Sequence, residues 1–444
     1  VSFSDFEIRI KNQFPNDWQE FMASIESDPI TSIRYNLRKI KSNFKTNIPW
    51  APNGKYLEER PSFTFDPKFH LGQYYVQESS SMFIDYVLSC IKKEISLDKV
   101  LDLCAAPGGK STIVLDHLEA DQFLISNELV PLRNTVLREN LSKWGYPNFL
   151  VTENKPADFK NLKKYFDCIL LDAPCSGEGL FRKDKNARDE WSQGVANMCS
   201  ERQYDIFKSI WPSLKEGGTL IYSTCTYNPD ENEGLLEKLL NDGFDFDTIK
   251  LEINNEWTID TIQTSNITGY RFLPHKVKGE GFYCSVLRKK GPYLPTIKKP
   301  TRDHLNPWIA NHLNKEELAC YSSYKFKNSL FLSPSYLLDE LPLLSKQFYV
   351  KQIGLEVGLY KGLEIEPQQG MALLPNEKKG LPMVDLTLEQ ALAYLSCDDP
   401  QLNLSDGIYL FQFEEFPLGF AKVEKSKFFN LYPSSWKIRS KRNS

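Results

Sequence analysis

Leu101-Asp-Leu-Cys-Ala-Ala-Pro-Gly-Gly-Lys-Ser-Thr112 decides the fold of this chain. An apolar run over 100–103 breaks at Pro107-Gly108-Gly109 and opens into a helical pattern over 111–118. A buried strand that turns through glycines into a helix lets a ligand approach bare backbone. Further apolar runs at 123–127, 149–152, 168–171, 219–223 and 281–287 read as strands, with helical patterns at 111–118, 131–144 and 199–215. That alternation predicts a doubly wound α/β sheet over about 73–290. Two cysteines close strand-like runs, Cys175 in Asp172-Ala-Pro-Cys175 and Cys225 in Ser223-Thr-Cys225. Strand ends of a parallel sheet collect on one ligand-binding edge, so a glycine turn and two thiols there suggest cofactor-dependent nucleophilic chemistry.

The turn resembles the end of a phosphate-binding loop, Gly-Lys-Ser, but position 104, where the loop's first glycine belongs, is Cys. It also departs from the dinucleotide pattern G-x-G-x-x-G. A cofactor with adenosine hydroxyls and no phosphate suits it better, with Glu128 at the distance where a ribose-binding carboxylate belongs. The bland reading is a strand–helix turn with a surface glutamate. Cys225 precedes Asn228-Pro-Asp-Glu231, a helix start with Asn as cap and Glu at the capping-box position. A helix N-terminus favours thiolate, so local sequence makes Cys225 the better nucleophile of the two. Asp172 reaches the same edge, to bond a substrate or merely to cap a turn. Thiol addition to carbon 6 of a cytosine would make carbon 5 nucleophilic enough to accept a methyl group.

Composition frames these readings. A 444-residue chain with 41% hydrophobic and 25% charged residues predicts two to four globular domains. Nine cysteines without a C-x-x-C pair argue against a disulfide framework and a zinc site, and for a reducing cytoplasm. We expect no membrane span, no metal and no secretory signal layout at the first residues. The net charge of −4 does not advertise nucleic acid, although a local basic surface would suffice. The stretch 34–41, with Arg34, Arg38, Lys39 and Lys41, and the tail with Lys425, Lys427, Lys437, Arg439 and Lys441 are candidates for it. Residues 291–300 read as a Pro/Lys-rich linker, followed by an irregular region to about 380, then a hairpin at 407–423.

Cys104-Ala-Ala-Pro-Gly-Gly-Lys110, Asp172-Ala-Pro-Cys-Ser-Gly-Glu-Gly179, Arg182-Lys-Asp184 and Ser223-Thr-Cys-Thr-Tyr227 together resemble the Sun-type family of RNA 5-methylcytosine methyltransferases. Val76-Gln-Glu-Ser-Ser-Ser-Met82 resembles the family's entry segment. The tail, with Pro417-Leu-Gly-Phe-Ala-Lys422 and Asn430-Leu-Tyr-Pro433, is similar to the PUA-like end of the bacterial RsmF branch, which methylates small-subunit ribosomal RNA. The resemblance implies a Rossmann-like S-adenosylmethionine-dependent methyltransferase core at 73–290. Around it stand an N-terminal α+β RNA-binding extension at 1–72, an intermediate C-terminal domain at 301–380 and a PUA-like β-rich RNA-binding domain at 381–444.

It further implies Cys225 as nucleophile, Cys175 in product release, Asp172 on the cytosine and Lys110 close to the target base. Ala105, Ala106, Pro107, Gly108, Gly109 and Lys110 would line the cofactor's methionine end and Glu128 its ribose, with Arg133, Asp172 and Pro174 also beside the cofactor. Where the family has an aspartate facing the adenine, this chain has Lys155, which cannot accept a hydrogen bond; the alternatives are that Asp158 substitutes with a local shift or that cofactor binding is weaker. The expected partner is RNA, most simply ribosomal RNA or the small subunit, bound by a monomer. Competing readings are a transfer RNA methyltransferase, a catalytically weak ribosome-assembly factor on the same fold, and a DNA methyltransferase using Cys175.

Overall fold

The structure is a computed structural model that describes residues 2–40, 45–298, 304–314 and 316–439. At its centre run seven strands: β1 (Lys99–Asp102), β2 (Phe123–Asn127), β3 (Phe149–Thr152), β4 (Phe166–Asp172), β5 (Leu214–Thr224), β6 (Thr268–Phe272) and β7 (Phe282–Lys289). Strands β3-β2-β1-β4-β5 are parallel neighbours in that order. Their side chains are almost wholly buried, which is why they read as continuous apolar runs and not as alternating ones. The chain builds outward from β1 to β3, then returns to place β4 on the other side of β1. The ends of β1 and β4 therefore flank the crevice where such sheets bind ligands.

Beyond β5 the sheet continues antiparallel through β7 and β6 to a strand at Asp260–Gln263. At the opposite edge β8 (Val350–Ile353) pairs antiparallel with β3. This strand comes from the region expected to be irregular. That region instead holds a four-stranded antiparallel sheet, Tyr321–Phe326, Ser329–Pro334, Leu355–Lys361 and Glu364–Pro367, and the helix Ser335–Gln347. Alternating short runs of mixed polarity hid it, because its two edge strands are half-exposed and its order comes from docking on the core. The expected linker is also pinned, since Tyr293 donates to Asp167 at 2.9 Å and Lys298 pairs with Asp98 at 2.8 Å.

The first residues form helices Ser2–Gln13 and Trp18–Ile25, then a three-stranded antiparallel sheet of Gly54–Tyr56, Ser32–Tyr35 and Tyr74–Val76. The last form a sheet of Met383–Asp385, Gly407–Phe413, Phe416–Glu424 and Lys427–Asn430 around the helix Leu388–Leu395. No helix among the described residues is long and apolar enough to cross a membrane.

Candidate active site

The glycine turn follows from backbone requirements. Gly108 has φ +113°, a left-handed conformation that an L side chain would strain, and it caps the helix Gly109–His117. The carbonyls of the turn are held from behind. Arg133 donates to Ala106 at 2.8 Å, Asn140 to Pro107 at 2.8 Å and Arg34 to Gly109 at 3.5 Å. Ala105 donates its amide to Asn127 at 2.9 Å.

Three carboxyl groups gather around this turn. Asp102, at the end of β1, is fully buried; its Oδ2 accepts from Ser111 at 2.6 Å, and its Oδ1 has no partner among the described residues. Burial pushes the Asp102 pKa up to about 7; Ser111 pulls against that shift and the nearby Asp172 and Glu128 carboxylates add to it. Glu128 closes β2 and is buried, with Oε1 accepting from the Val130 amide at 2.8 Å and Oε2 lying 3.4 Å from Arg133. Asp172 closes β4.

This set discriminates between cofactors. A pyrophosphate would meet three carboxyl groups and one lysine already engaged by Asp172. A cationic sulfonium with an ammonium group and ribose hydroxyls meets acceptors for each, including the unpartnered oxygen of Asp102. The residues present fit S-adenosylmethionine.

Across the crevice the two oxygens of Asp172 accept from Lys110 and from Ser223, each at 2.8 Å. The β4–β5 register places Asp172 directly beside Ser223. Burial works against the charge on Lys110, but the Asp172 carboxylate, with help from the Cys225 sulfur and Asp102, holds its pKa above the usual lysine value. Two and three residues further along these strands, the Cys225 and Cys175 sulfurs lie 3.1 Å apart, and the Cys225 amide donates to the Cys175 sulfur at 3.3 Å. Contact with the Cys225 sulfur, followed by burial, pushes the Cys175 thiol well up. That shift favours the thiol form of Cys175, and either sulfur can donate across the 3.1 Å contact. The structure brings Lys110, Asp172, Cys175 and Cys225 to one edge of the sheet.

Other expectations resolve differently. Arg133 turns to Ala106 and Glu128, so it holds the turn whatever else it meets. Pro174 gives its carbonyl to Gln203 at 3.1 Å. Lys155 is exposed, and its amide donates to Asp158 Oδ2 at 3.1 Å, an oxygen that also accepts from Asn154 at 2.9 Å. Asn228 caps the next helical turn as expected, accepting from Asp230 at 3.0 Å. Glu231 does not close a capping box; it turns away, toward Ser176 and Gln203.

Within the stretch 34–41, Arg34 and Lys39 are corrected as RNA-facing residues because both are buried. Arg34 is 0% exposed and binds Asp116, Thr112 and Gln77. Lys39 is buried against the carbonyls of Leu71 and Lys143 at 3.0 and 2.7 Å, and burial, then Lys378, pushes its pKa well down. Arg38 is exposed and covers the Tyr146 ring, while Lys41 and Lys441 lie outside the described residues.

Sequence reading gave no role to Asp102 or Glu178 and gave Glu231 only that of a helix cap. All three are buried acids, and a polar letter inside or beside an apolar run was the one available sign. Glu178 accepts from Trp191 at 3.0 Å and from the Tyr227 amide at 3.1 Å, and pairs with Arg9 at 2.6 Å.

Comparison with known proteins agrees with this geometry. Residues 90–288 match the family model of 16S rRNA methyltransferase RsmB/F, residues 4–79 the N-terminal domain of 16S rRNA methyltransferase RsmF, and residues 382–438 the methyltransferase RsmF PUA domain. A ribosomal RNA small subunit methyltransferase F from Erwinia tasmaniensis is 28% identical over 94% of this chain and 92% of its own. One of the same name from Psychromonas ingrahamii is 36% identical over 61% of this chain and 59% of its own. Among solved structures, a methyltransferase homolog protein from Pyrococcus horikoshii is 26% identical, with TM-score 0.52 over 62% of this chain and 92% of that one. NSun6 from the same organism, solved with SFG, shares the fold at 20% identity and TM-score 0.54, over 64% of this chain and 98% of that one. The N-terminal, catalytic and PUA parts of the chain thus match, in order, the family models of RsmB/F and RsmF 16S rRNA methyltransferases.

Proposed function

We propose that this protein methylates carbon 5 of a cytosine in small-subunit ribosomal RNA, working as a monomer in the cytoplasm. The observation that carries the reading is the pair of sulfurs 3.1 Å apart beside an Asp172 carboxylate already bonded to Lys110. S-adenosylmethionine, held by the 105–110 turn, Glu128 and Asp102, supplies the methyl group that carbon 5 accepts. Asp158 offers the acceptor for the adenine amine that Lys155 cannot.

Cys225 as thiolate adds to carbon 6 of a cytosine turned out of its stack, and electron density moves to carbon 5. Asp172 receives the base's amine, while the Lys110 ammonium offsets charge that develops on the ring. After transfer, carbon 5 loses its proton to a base, the carbon 6–sulfur bond breaks, and Cys225 leaves as thiolate. Cys175, held protonated, donates to that leaving sulfur.

The reading predicts that Cys225→Ala lowers methyl transfer to background, while Cys175→Ala accumulates a protein–RNA adduct stable on a denaturing gel. Full turnover by Cys225→Ala would overturn the assignment. Bisulfite mapping of small-subunit RNA from a deletion strain should show one cytosine losing protection; loss only in transfer RNA would redirect the substrate.

A further inference from the structure

The two sulfurs belong to different loops. Cys175 lies on the Cys-Ser-Gly-Glu-Gly segment after β4, which includes the positive-φ residue Gly177, and Cys225 lies on the Thr-Cys-Thr-Tyr segment after β5. The β4–β5 ladder ends at Asp172 and Ser223, so beyond it something else must fix the loops against each other. The direct bonds across the gap are few. Gly179 donates to the Cys225 carbonyl at 2.8 Å, the Tyr227 amide donates to the Glu178 carboxylate at 3.1 Å, Ser176 Oγ meets Thr226 Oγ1 at 3.0 Å, and the Cys225 amide meets the Cys175 sulfur.

Behind them lies a second buried carboxyl group that the mechanism does not use. Glu231 is 0% exposed. Its Oε2 accepts from the Ser176 amide at 2.9 Å and from Gln203 at 3.0 Å. Its Oε1 accepts from the Ser176 hydroxyl and lies 3.4 Å from the Thr226 hydroxyl. Its own carbonyl accepts from Tyr222 on β5 at 2.6 Å. Helix capping does not explain the side chain, because Asn228 already does that work.

We infer that Glu231 is the positioning residue of the two-cysteine constellation: its carboxyl group ties the residue after Cys175 to the residue after Cys225 and so sets the distance between the sulfurs. This rests on the proposed reading for its effect on turnover, but the distance itself can be measured without RNA. A misplacement of about 1 Å at reacting atoms costs about 100-fold in rate.

Three full-length variants test it. Glu231→Ala removes the tie. Glu231→Gln keeps it, because the amide oxygen can accept from the Ser176 amide while the NH2 donates to the hydroxyls of Ser176 and Thr226. Ser176→Ala weakens it from the other side and keeps the test available should Glu231→Ala fail to fold. Expected results are a fall in kcat of about 100-fold for Glu231→Ala and about 10-fold for Ser176→Ala, with RNA Kd unchanged and near-complete rescue in Glu231→Gln.

The independent readout is formation of a Cys175–Cys225 disulfide on treatment with diamide, which takes up the two thiol hydrogens as the sulfur–sulfur bond forms. Mass spectrometry should show fast closure in the unmodified protein and in Glu231→Gln, and closure at least 10-fold slower in the other two. Unchanged closure in folded Ser176→Ala or Glu231→Ala overturns the inference. So does a Glu231→Gln variant as inactive as Glu231→Ala, which would mean that charge and not position matters. If the unmodified protein methylates no RNA while the closure rates follow the expected order, the functional reading fails and the positioning role stands.

Discussion

Two buried acids make the stability of this protein depend on pH in a calculable direction. Burial lifts Glu231 from 4.5 to about 7, against the pull of Ser176, and lifts Asp102 from 3.8 to about 7. A folded-state pKa above the unfolded one means that the native state binds more protons across the interval. The stability these two groups contribute is therefore full below about pH 4, falls as pH rises to about 7, and is gone beyond. Each group contributes on the order of 3 kcal/mol to that slope. Urea unfolding at pH 5.0 and 7.5 should show the decline, and Asp102→Asn or Glu231→Gln should each flatten part of it; an unchanged slope in both would remove these groups as its source. A cationic cofactor beside Asp102 reverses the local bias, so its binding near pH 7 should release a proton. Calorimetry in buffers of different ionisation enthalpy measures that release directly, and Asp102→Asn should abolish it.

At the scale of elements, glycines decide how closely the catalytic loops approach. A Cβ on Gly179 would lie 2.5 Å from the Gly281 carbonyl and 2.9 Å from the Cys225 carbonyl, both backbone atoms that cannot swing away. Gly179→Ala should therefore displace Cys225 itself and cost about 1–3 kcal/mol of stability. Turnover should drop far more than S-adenosylmethionine affinity, because the glycine turn at Gly108 lies on another strand end. Equal losses in the two measurements would show that the whole edge had moved. The strands carrying this edge were legible because burial on both faces writes uninterrupted apolar runs, and β2 and β3 begin and end where those runs do. The antiparallel strand β6 was not, since Thr268-Gly-Tyr-Arg-Phe272 mixes polar letters and Arg271 is buried only by pairing with Glu233. Likewise the cysteines, Asp172 and Lys110 stood at turns that motif spacing could flag. Glu231 sat in a pattern that described a cap equally well, and only tertiary contact shows which partners its carboxyl group meets.

For the whole molecule, the parts outside the central sheet act as its braces. Helix Ser2–Gln13 reaches both cysteine loops through Arg9–Glu178 at 2.6 Å and through Gln13, which donates to the Tyr227 carbonyl at 2.9 Å. Strand β8 covers the open edge at β3, and Tyr349 just before it donates its amide to Asn154 at the end of that strand at 2.9 Å. Neither contact has a local sequence signal, because each joins residues some two hundred positions apart. Arg34 shows what such bracing means for the cofactor. From the N-terminal sheet its guanidinium lies over the Trp144 ring at 4.5 Å, pairs with Asp116 and donates to Thr112 in the first turn of the glycine helix at 2.5 Å. Replacing it with methionine keeps the volume but strands Asp116, which burial already biases toward its neutral form. The expected cost is about 3–5 kcal/mol, the range for removing one member of a buried ion pair. Because Arg34 also supports the Gly109 carbonyl, Arg34→Met should weaken S-adenosylmethionine binding as well as lower Tm. Adding Asp116→Asn should recover much of the stability by removing the stranded charge, without restoring cofactor affinity. Recovery of both together would mean that Arg34 stabilises the fold at large and leaves the turn to its nearer partners, Arg133 and Asn140.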